Sequence, residues 1–308
     1  CRSPVDALAL RLEELCCDDR TVPCRIDSVL ARHRIDIRGL EVLFPFVSGP
    51  LAPQRLLMEH AVQALDSNRH AVLESPTGTG KTAAILCAAL AWQRRQRIKT
   101  GRAPQIVFVS RTHAQLRQAV AELRRIPYRP TTAILGSRES GLCIHPSVAM
   151  MSQDGQSQTS MRQACRQARR QGDCTFHNGL QAPGFAETAV SRLRVGDAHD
   201  IEDLANFGSE MGGCPYYTSH ALGRHADLVF SPYNYVLDPS VRRASGSSTM
   251  DLKGRIVILD EAHNLEGVCR EAGSAELSLD QLQAVLAALK RALGEAEAEG
   301  RDVGGCSA

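Results

Sequence analysis

The chain has 308 residues, 43% of them hydrophobic and 23% charged, with a net charge of only +2. That length gives one or two domains with a proper core, and the charge balance excludes a polycation overall. No apolar run reaches the ~18 residues of a membrane-spanning helix, and residues 1–36 lack a signal-peptide core, so the composition reads as a soluble, intracellular protein. Its eleven cysteines then point to metal or redox chemistry rather than to disulfides. The chain opens on Cys1 rather than Met, which reads as a piece of a longer protein.

In chain order, residues 1–38 form a short helical extension with no assigned role. Leu40–Phe46 is strand-like and precedes a Gly/Pro break, and Gln54–Leu65 has helical spacing. His70–Glu74 is a short apolar strand followed by the loop Ser75–Gly80, and Lys81–Arg94 is helical with no breaker. A buried strand at Gln105–Ser110, a helix at His113–Arg125 and a strand at Thr132–Leu135 follow. Residues 143–214 change character, with few apolar runs and cysteine-bearing segments rich in Arg, Gln and Gly. Alternation resumes with strands at Ala226–Ser231 and Arg255–Leu259. Strands alternating with helices imply a parallel sheet with helices on both faces. Residues 277–297 form an amphipathic helix. Two basic clusters stand out: Arg94, Arg95, Arg97 and Lys99, and Arg162, Arg166, Arg169 and Arg170. A solvated helix face is the ordinary reading of each.

Glu74 to Thr82 reads Glu-Ser-Pro-Thr-Gly-Thr-Gly-Lys-Thr, between a strand and a helix as a phosphate loop requires. Gly78 and Gly80 let the backbone curl so that its N–H groups and the helix N-terminus converge on phosphate oxygens. Ser75, Pro76, Thr77 and Thr79 complete the loop, with Ser75 standing where the usual pattern has its first glycine. Lys81 supplies a cation between the β and γ phosphates, and Thr82 offers a hydroxyl to Mg²⁺. Asp260-Glu261-Ala262-His263 follows the apolar run Ile256–Leu259, at the strand edge where open α/β sheets bind ligands. Asp260 suits Mg²⁺ through water, Glu261 suits orienting and deprotonating an attacking water, and His263 suits coupling this loop to another domain.

Cys87 reads as core, Cys1, Cys16, Cys17, Cys24 and Cys306 lie in uninformative ends, and Cys269 stands alone. Cys143, Cys165, Cys174 and Cys214 remain, with 21, 8 and 39 residues between them. Structural zinc sites bring ligands in close pairs, and none exists among these four. Spacing alone leaves both a [4Fe–4S] cluster and zinc open. His145 and His177 lie beside these cysteines as alternative ligands, read as supporting or surface residues.

Together, ESPTGTGKT and ILDEAHN resemble the superfamily 2 DEAH helicases of the xeroderma pigmentosum group D type. VSRTHAQL (Val109–Leu116), LGSRESGLCIHP (Leu135–Pro146), GCPYY (Gly213–Tyr217) and SPYNYVLDP (Ser231–Pro239) extend the likeness over about 44–271. YRPTTAILGSRE and DIEDL resemble the telomere-elongation-regulator branch; ALAWQ and CPYYT resemble the Fanconi anaemia group J branch. The resemblance implies a RecA-like P-loop NTPase motor domain at 39–142 and 215–270. It also implies an inserted helical four-cysteine iron–sulfur module at 143–214 and the start of an arch domain at 271–308. It implies ATP, Mg²⁺ and a [4Fe–4S] cluster held by Cys143, Cys165, Cys174 and Cys214. Gln54 would read adenine, and Arg111, Thr112 and His113 would touch the DNA backbone. Arg166 and Arg169 would attract it near the cluster. The implied activity is ATP-driven 5′-to-3′ movement on single-stranded DNA at junctions and duplex ends, in nuclear DNA repair and genome maintenance. No second motor domain follows Glu271, so this stretch alone is expected to bind ATP weakly and not to unwind. A nucleotide-dependent DNA-binding module that opens no duplex is the alternative.

Overall fold

The computed structural model of the chain describes residues 3–16, 22–76, 78–150, 160–194, 198–244, 251–275 and 278–298. Helix α1 spans Pro4–Cys16 and buries Leu8, Leu12 and Cys16. Strand β1 (Arg25–Ile26) is followed by a hairpin of β2 (His33–Ile37) and β3 (Leu40–Phe44). Arg38 and Gly39 both have positive φ, 55° and 77°, the geometry of the two-residue turn whose twist matches paired strands. The expected helical extension is therefore a helix followed by two strands. Strands this short leave little periodic pattern in a sequence. Nor is α1 an appendage: it packs on the cysteine-bearing region, where Arg11 Nη2 meets Glu187 Oε1 at 2.7 Å.

Helix α2 (Ala52–Asp66) leads to the segment expected as a strand, His70–Glu74, which is irregular here. Val72 is 98% exposed, and among the described residues no neighbouring strand offers this segment a hydrogen-bonding ladder. A strand pattern without a paired edge does not become a strand. Helix α3 (Lys81–Thr100) runs six residues past its expected end and stops at Gly101 (φ 71°). Its small residues let it be buried nearly all round: Ala83, Ala84, Ala88 and Ala89 are inaccessible beside Leu86, Cys87 and Leu90.

Strand β4 (Ile106–Ser110) is entirely buried. Helix α4 (His113–Arg125) has the expected bounds, set by Thr112, whose hydroxyl accepts from Gln115 N at 3.2 Å, an N-cap bond that satisfies an orphan donor. Strands β5 (Tyr128–Arg129) and β6 (Thr132–Ile134) follow. Then come α5 (Pro146–Met150), α6 (Met161–Gln171), α7 (Thr175–Asn178), α8 (Phe185–Ala189), α9 (Ile201–Met211) and α10 (Pro215–Gly223). Strand β7 (Leu228–Pro232), α11 (Asn234–Leu237), α12 (Pro239–Ala244), β8 (Ile256–Leu259), α13 (Leu265–Ala272) and α14 (Leu279–Ala298) complete the order.

Among the described residues the main sheet has the order β6-β7-β4-β8, and every pairing is parallel. Its C-terminal edge gathers Ser110, Pro232 and Leu259, and hence the residues that follow them. The basic cluster on α3 is structural: Arg97 Nη1 meets Asp227 Oδ1 at 2.7 Å, Arg94 donates to the Cys24 carbonyl at 3.0 Å, and Arg95 pairs with Asp66. Helix α14 carries exposed Leu279, Leu282, Val285, Leu286, Leu289 and Leu293. Among the described residues, no helix is long and apolar enough to cross a membrane.

Candidate nucleotide and cysteine sites

The phosphate loop lies at the N-terminus of α3, where Gly80 is the N-cap with φ 70°. Inside the loop, Ser75 Oγ lies 3.0 Å from Thr79 Oγ1, and Thr79 Oγ1 donates to the Pro76 carbonyl at 2.8 Å. Gly78 also has positive φ, 74°, and Thr77 lies outside the described residues. Gln54, 4% exposed, accepts from Leu51 N at 2.8 Å. Its amide Nε2 would stand 2.7 Å from a Cβ at Gly80, so the glutamine packs closely against the end of the loop.

Lys81 and Glu261, far apart in sequence, meet with Nζ 3.7 Å from Oε1. Thr82 stands next to Lys81 in the first turn of α3, half-buried. Asp260 hangs from β4 through its backbone N–H to the Val109 carbonyl at 2.9 Å, and the Tyr233 hydroxyl donates to its carbonyl. Burial, then the Glu261 carboxylate, raises the Asp260 pKa against the pull of Lys81. A carboxyl raised in this way favours a cation beside it. Glu261 has a left-handed backbone, φ 54° and ψ 47°, and its Oε2 lies 3.4 Å from His263 Nδ1. Arg111 and Thr112 are exposed beyond β4, His113 is half-buried, and burial lowers the His113 pKa.

Cys143, Cys165, Cys174 and Cys214 line one cavity together with Arg138, His145, Arg169, His177, Tyr216 and Tyr217. Cys165 reaches it because α6 is amphipathic: Met161, Ala164 and Cys165 are buried while Arg162, Arg166 and Arg170 face out. Cys174 and Cys214 occupy the N-cap positions of α7 and α10. Burial raises the thiol pKa of Cys143, Cys174 and Cys214, the last to about 12. Opposing this, backbone N–H groups reach three sulfurs: His145 to Cys143, His177 and Phe176 to Cys174, and Tyr217 to Cys214. Arg138 Nε donates to Cys165 Sγ at 3.2 Å. A neutral buried thiol has little use for such donors, whereas an anionic sulfur is stabilised by each of them. Among the described residues, no three His, Cys, Asp or Glu side chains converge closely enough for a single metal ion.

Arg169 turns inward, its Nη1 bonded to the Tyr217 hydroxyl and its guanidinium 4.7 Å from that ring. Arg166 stays exposed. His177 is buried and packs edge-on to Tyr217, with ring centroids 5.5 Å apart. Sequence reasoning missed Arg138, whose guanidinium lies 3.8 Å over Tyr216 and donates to the Tyr217 hydroxyl at 3.0 Å. The signal available was its place in LGSRESGLCIHP, five residues before Cys143.

A parallel sheet with a glycine loop at one helix N-terminus and an acidic pair at its C-terminal edge defines a RecA-like helicase fold. The DEAD_2 family profile matches residues 108–282, more than half of the chain, and the chain belongs to that family. The DEAD/DEAH box helicase profile matches residues 55–159. Regulator of telomere elongation helicase 1 of Bos taurus is 36% identical over 297 residues, covering 85% of this chain and 23% of its own length. The Caenorhabditis elegans homologue is 38% identical over 281 residues, covering 82% of this chain and 27% of its own length. The chain thus spans about a quarter of the length of the curated relatives it matches. A solved XPD helicase aligns at 21% identity and a TM-score of 0.44, covering 70% of this chain and 33% of the other. The chain is related to the regulators of telomere elongation, one of the two branches that its motifs left open.

Proposed function

We propose that the chain is the ATP-binding first motor domain of a DNA helicase that moves 5′ to 3′ and acts in nuclear genome maintenance, on single-stranded DNA at junctions and duplex ends. The observation that carries this reading is the 3.7 Å approach of Lys81 Nζ to Glu261 Oε1 at the sheet's C-terminal edge. The loop Ser75–Gly80 wraps the phosphates with N–H groups of its non-proline residues, and Lys81 neutralises the β and γ oxygens. Gln54 steadies the loop at Gly80 and reads the adenine edge with its amide. Thr82 and Asp260 would hold Mg²⁺, which when bound offsets charge on the phosphates. Once Lys81 turns to phosphate, the Glu261 carboxylate is free to orient the attacking water and accept its proton. Residues 39–142 and 215–270 make up this motor domain, and α14 begins an arch domain within 271–308.

Cys143, Cys165, Cys174 and Cys214 would hold a [4Fe–4S] cluster in a module spanning 143–214. Four sulfurs lining one cavity, each met by an N–H donor, fit an anionic cluster. The cluster, when bound, supplies a rigid cross-link among segments with little apolar core of their own. Outside it, exposed Arg166 attracts a DNA backbone, and Arg169 holds Tyr217 against the cavity. Arg111, Thr112 and His113 contact the DNA backbone at the motor, a sequence-blind interaction that weakens with salt.

Glu261→Gln tests the enzyme against the binding-only alternative. It is expected to abolish DNA-stimulated ATP hydrolysis in the intact protein while nucleotide affinity stays within a few-fold. Undiminished function in cells with Glu261→Gln would establish a nucleotide-switched binding module instead.

A further inference from the structure

Asn264 joins the two ends of the candidate site. Its Oδ1 accepts from Arg111 Nη1 at 3.1 Å. Its Nδ2 donates to the Glu261 carbonyl at 3.1 Å and lies 3.0 Å from His263 Nε2. The backbone N–H of Asn264 reaches the same Glu261 carbonyl at 3.0 Å. One amide therefore touches the exposed arginine beyond β4, the carbonyl of the acidic residue beyond β8, and the histidine facing that residue's carboxylate.

Glu261 needs such holding. Its left-handed backbone is unfavourable for a non-glycine residue and persists only where its surroundings impose it. Its carboxylate rests against Lys81 and His263. Both contacts are partly exposed, and neither would hold the backbone on its own.

We propose that Asn264 is a positioning residue that transmits occupancy of Arg111 by a nucleic-acid phosphate to the backbone and carboxylate of Glu261. The inference rests on the reading that the loop binds nucleotide and that Arg111 binds a DNA backbone. A phosphate oxygen carries negative charge and so attracts the Arg111 guanidinium more strongly than the neutral amide oxygen of Asn264 does. When Arg111 leaves Asn264 for phosphate, the side-chain amide is free to rotate away from the Glu261 carbonyl and His263, leaving that carbonyl to the Asn264 backbone N–H alone. Glu261 then leaves its resting pose against Lys81. By linkage, nucleotide that draws Lys81 away from Glu261 changes DNA affinity by the same factor.

The test measures affinity of the full chain for a fluorescent ATP analogue with Mg²⁺, with and without saturating oligothymidine. Wild type is expected to show at least about a fivefold change on adding DNA, and Asn264→Ala and Asn264→Asp a ratio near one. The two variants also separate. Asn264→Asp keeps an acceptor and adds charge, so Arg111 is held more tightly and DNA affinity falls several-fold. Asn264→Ala releases Arg111, and DNA affinity does not fall. A merely structural role would move both variants together with their melting temperatures and leave the ratio intact. Persistence of the ratio in Asn264→Ala, or equal loss of DNA affinity in both variants, overturns the inference. Wild type that binds both ligands without coupling overturns it alone, whereas wild type that binds neither overturns the nucleotide-driven reading beneath it as well.

Discussion

Converting Arg97 to Met tests whether the basic end of α3 belongs to the fold or to a nucleic-acid surface. Arg97 is 6% exposed and Asp227 12%, with Nη1 and Oδ1 2.7 Å apart. Arg97 Nη1 also donates to the Val22 carbonyl at 3.2 Å. Asp227 Oδ2 accepts from Thr131 N at 3.1 Å, and Asp227 N donates to Thr131 Oγ1 at 2.9 Å. The pair therefore locks α3 to the starts of β6 and β7. Arg97→Met keeps most of the side-chain volume but leaves a nearly dry carboxylate without its cation. Removing one partner of a buried pair costs about 3–5 kcal/mol, because an uncompensated charge remains inside. Asp227→Asn retains an acceptor for Thr131 and is expected to cost a similar amount. The double variant, with no buried charge, should recover at least about 2 kcal/mol relative to the sum of the singles. Asp66→Asn, which breaks the more exposed Arg95 pair, should cost under about 1 kcal/mol. Urea denaturation followed by circular dichroism measures all four. Single variants within about 1 kcal/mol of wild type, or strict additivity in the double, would refute the argument.

The remaining predictions concern the cysteines, a buried histidine and the phosphate loop. The chain purified without oxygen is expected to carry about four irons and a broad brown absorption, both lost in Cys165→Ser; one zinc and no colour would overturn the cluster. Burial pushes the His199 pKa down to about 4, against an unfolded value of about 6.5. Below about pH 6.5 the unfolded chain therefore takes up a proton that the native state refuses. The stability contribution is complete above that pH and falls by on the order of 2 kcal/mol by pH 4.5. Buried His220, pushed to about 3, adds a decline of the same sign, so His199→Gln should flatten the acid limb of a stability–pH curve without abolishing it. Gly80→Ala places a Cβ 2.7 Å from Gln54 Nε2 at φ +70°, and should weaken binding of the ATP analogue at least tenfold. Near-wild-type affinity would show that the loop tolerates a side chain there.

Signals carried by neighbouring residues were legible without a structure. The Thr112 cap announces α4, β4, β7 and β8 are apolar runs, and the glycine loop and the acidic pair are contiguous motifs placed beside them. The parallel arrangement followed from strand–helix alternation, because a parallel connection needs a crossover. Two-residue β1 and β5 carry no period to detect, and the His70–Glu74 pattern describes side chains rather than the partner edge a strand requires. Tertiary structure alone brought Lys81 to Glu261, drew four scattered cysteines to one cavity with Arg138, and turned Arg97 and Arg169 inward. It also set Asn264 between Arg111 and Glu261. The physical reason is that hydrogen bonds and ion pairs depend on distances of about 3–4 Å, and residues far apart in the chain acquire such distances only from the path of the backbone between them.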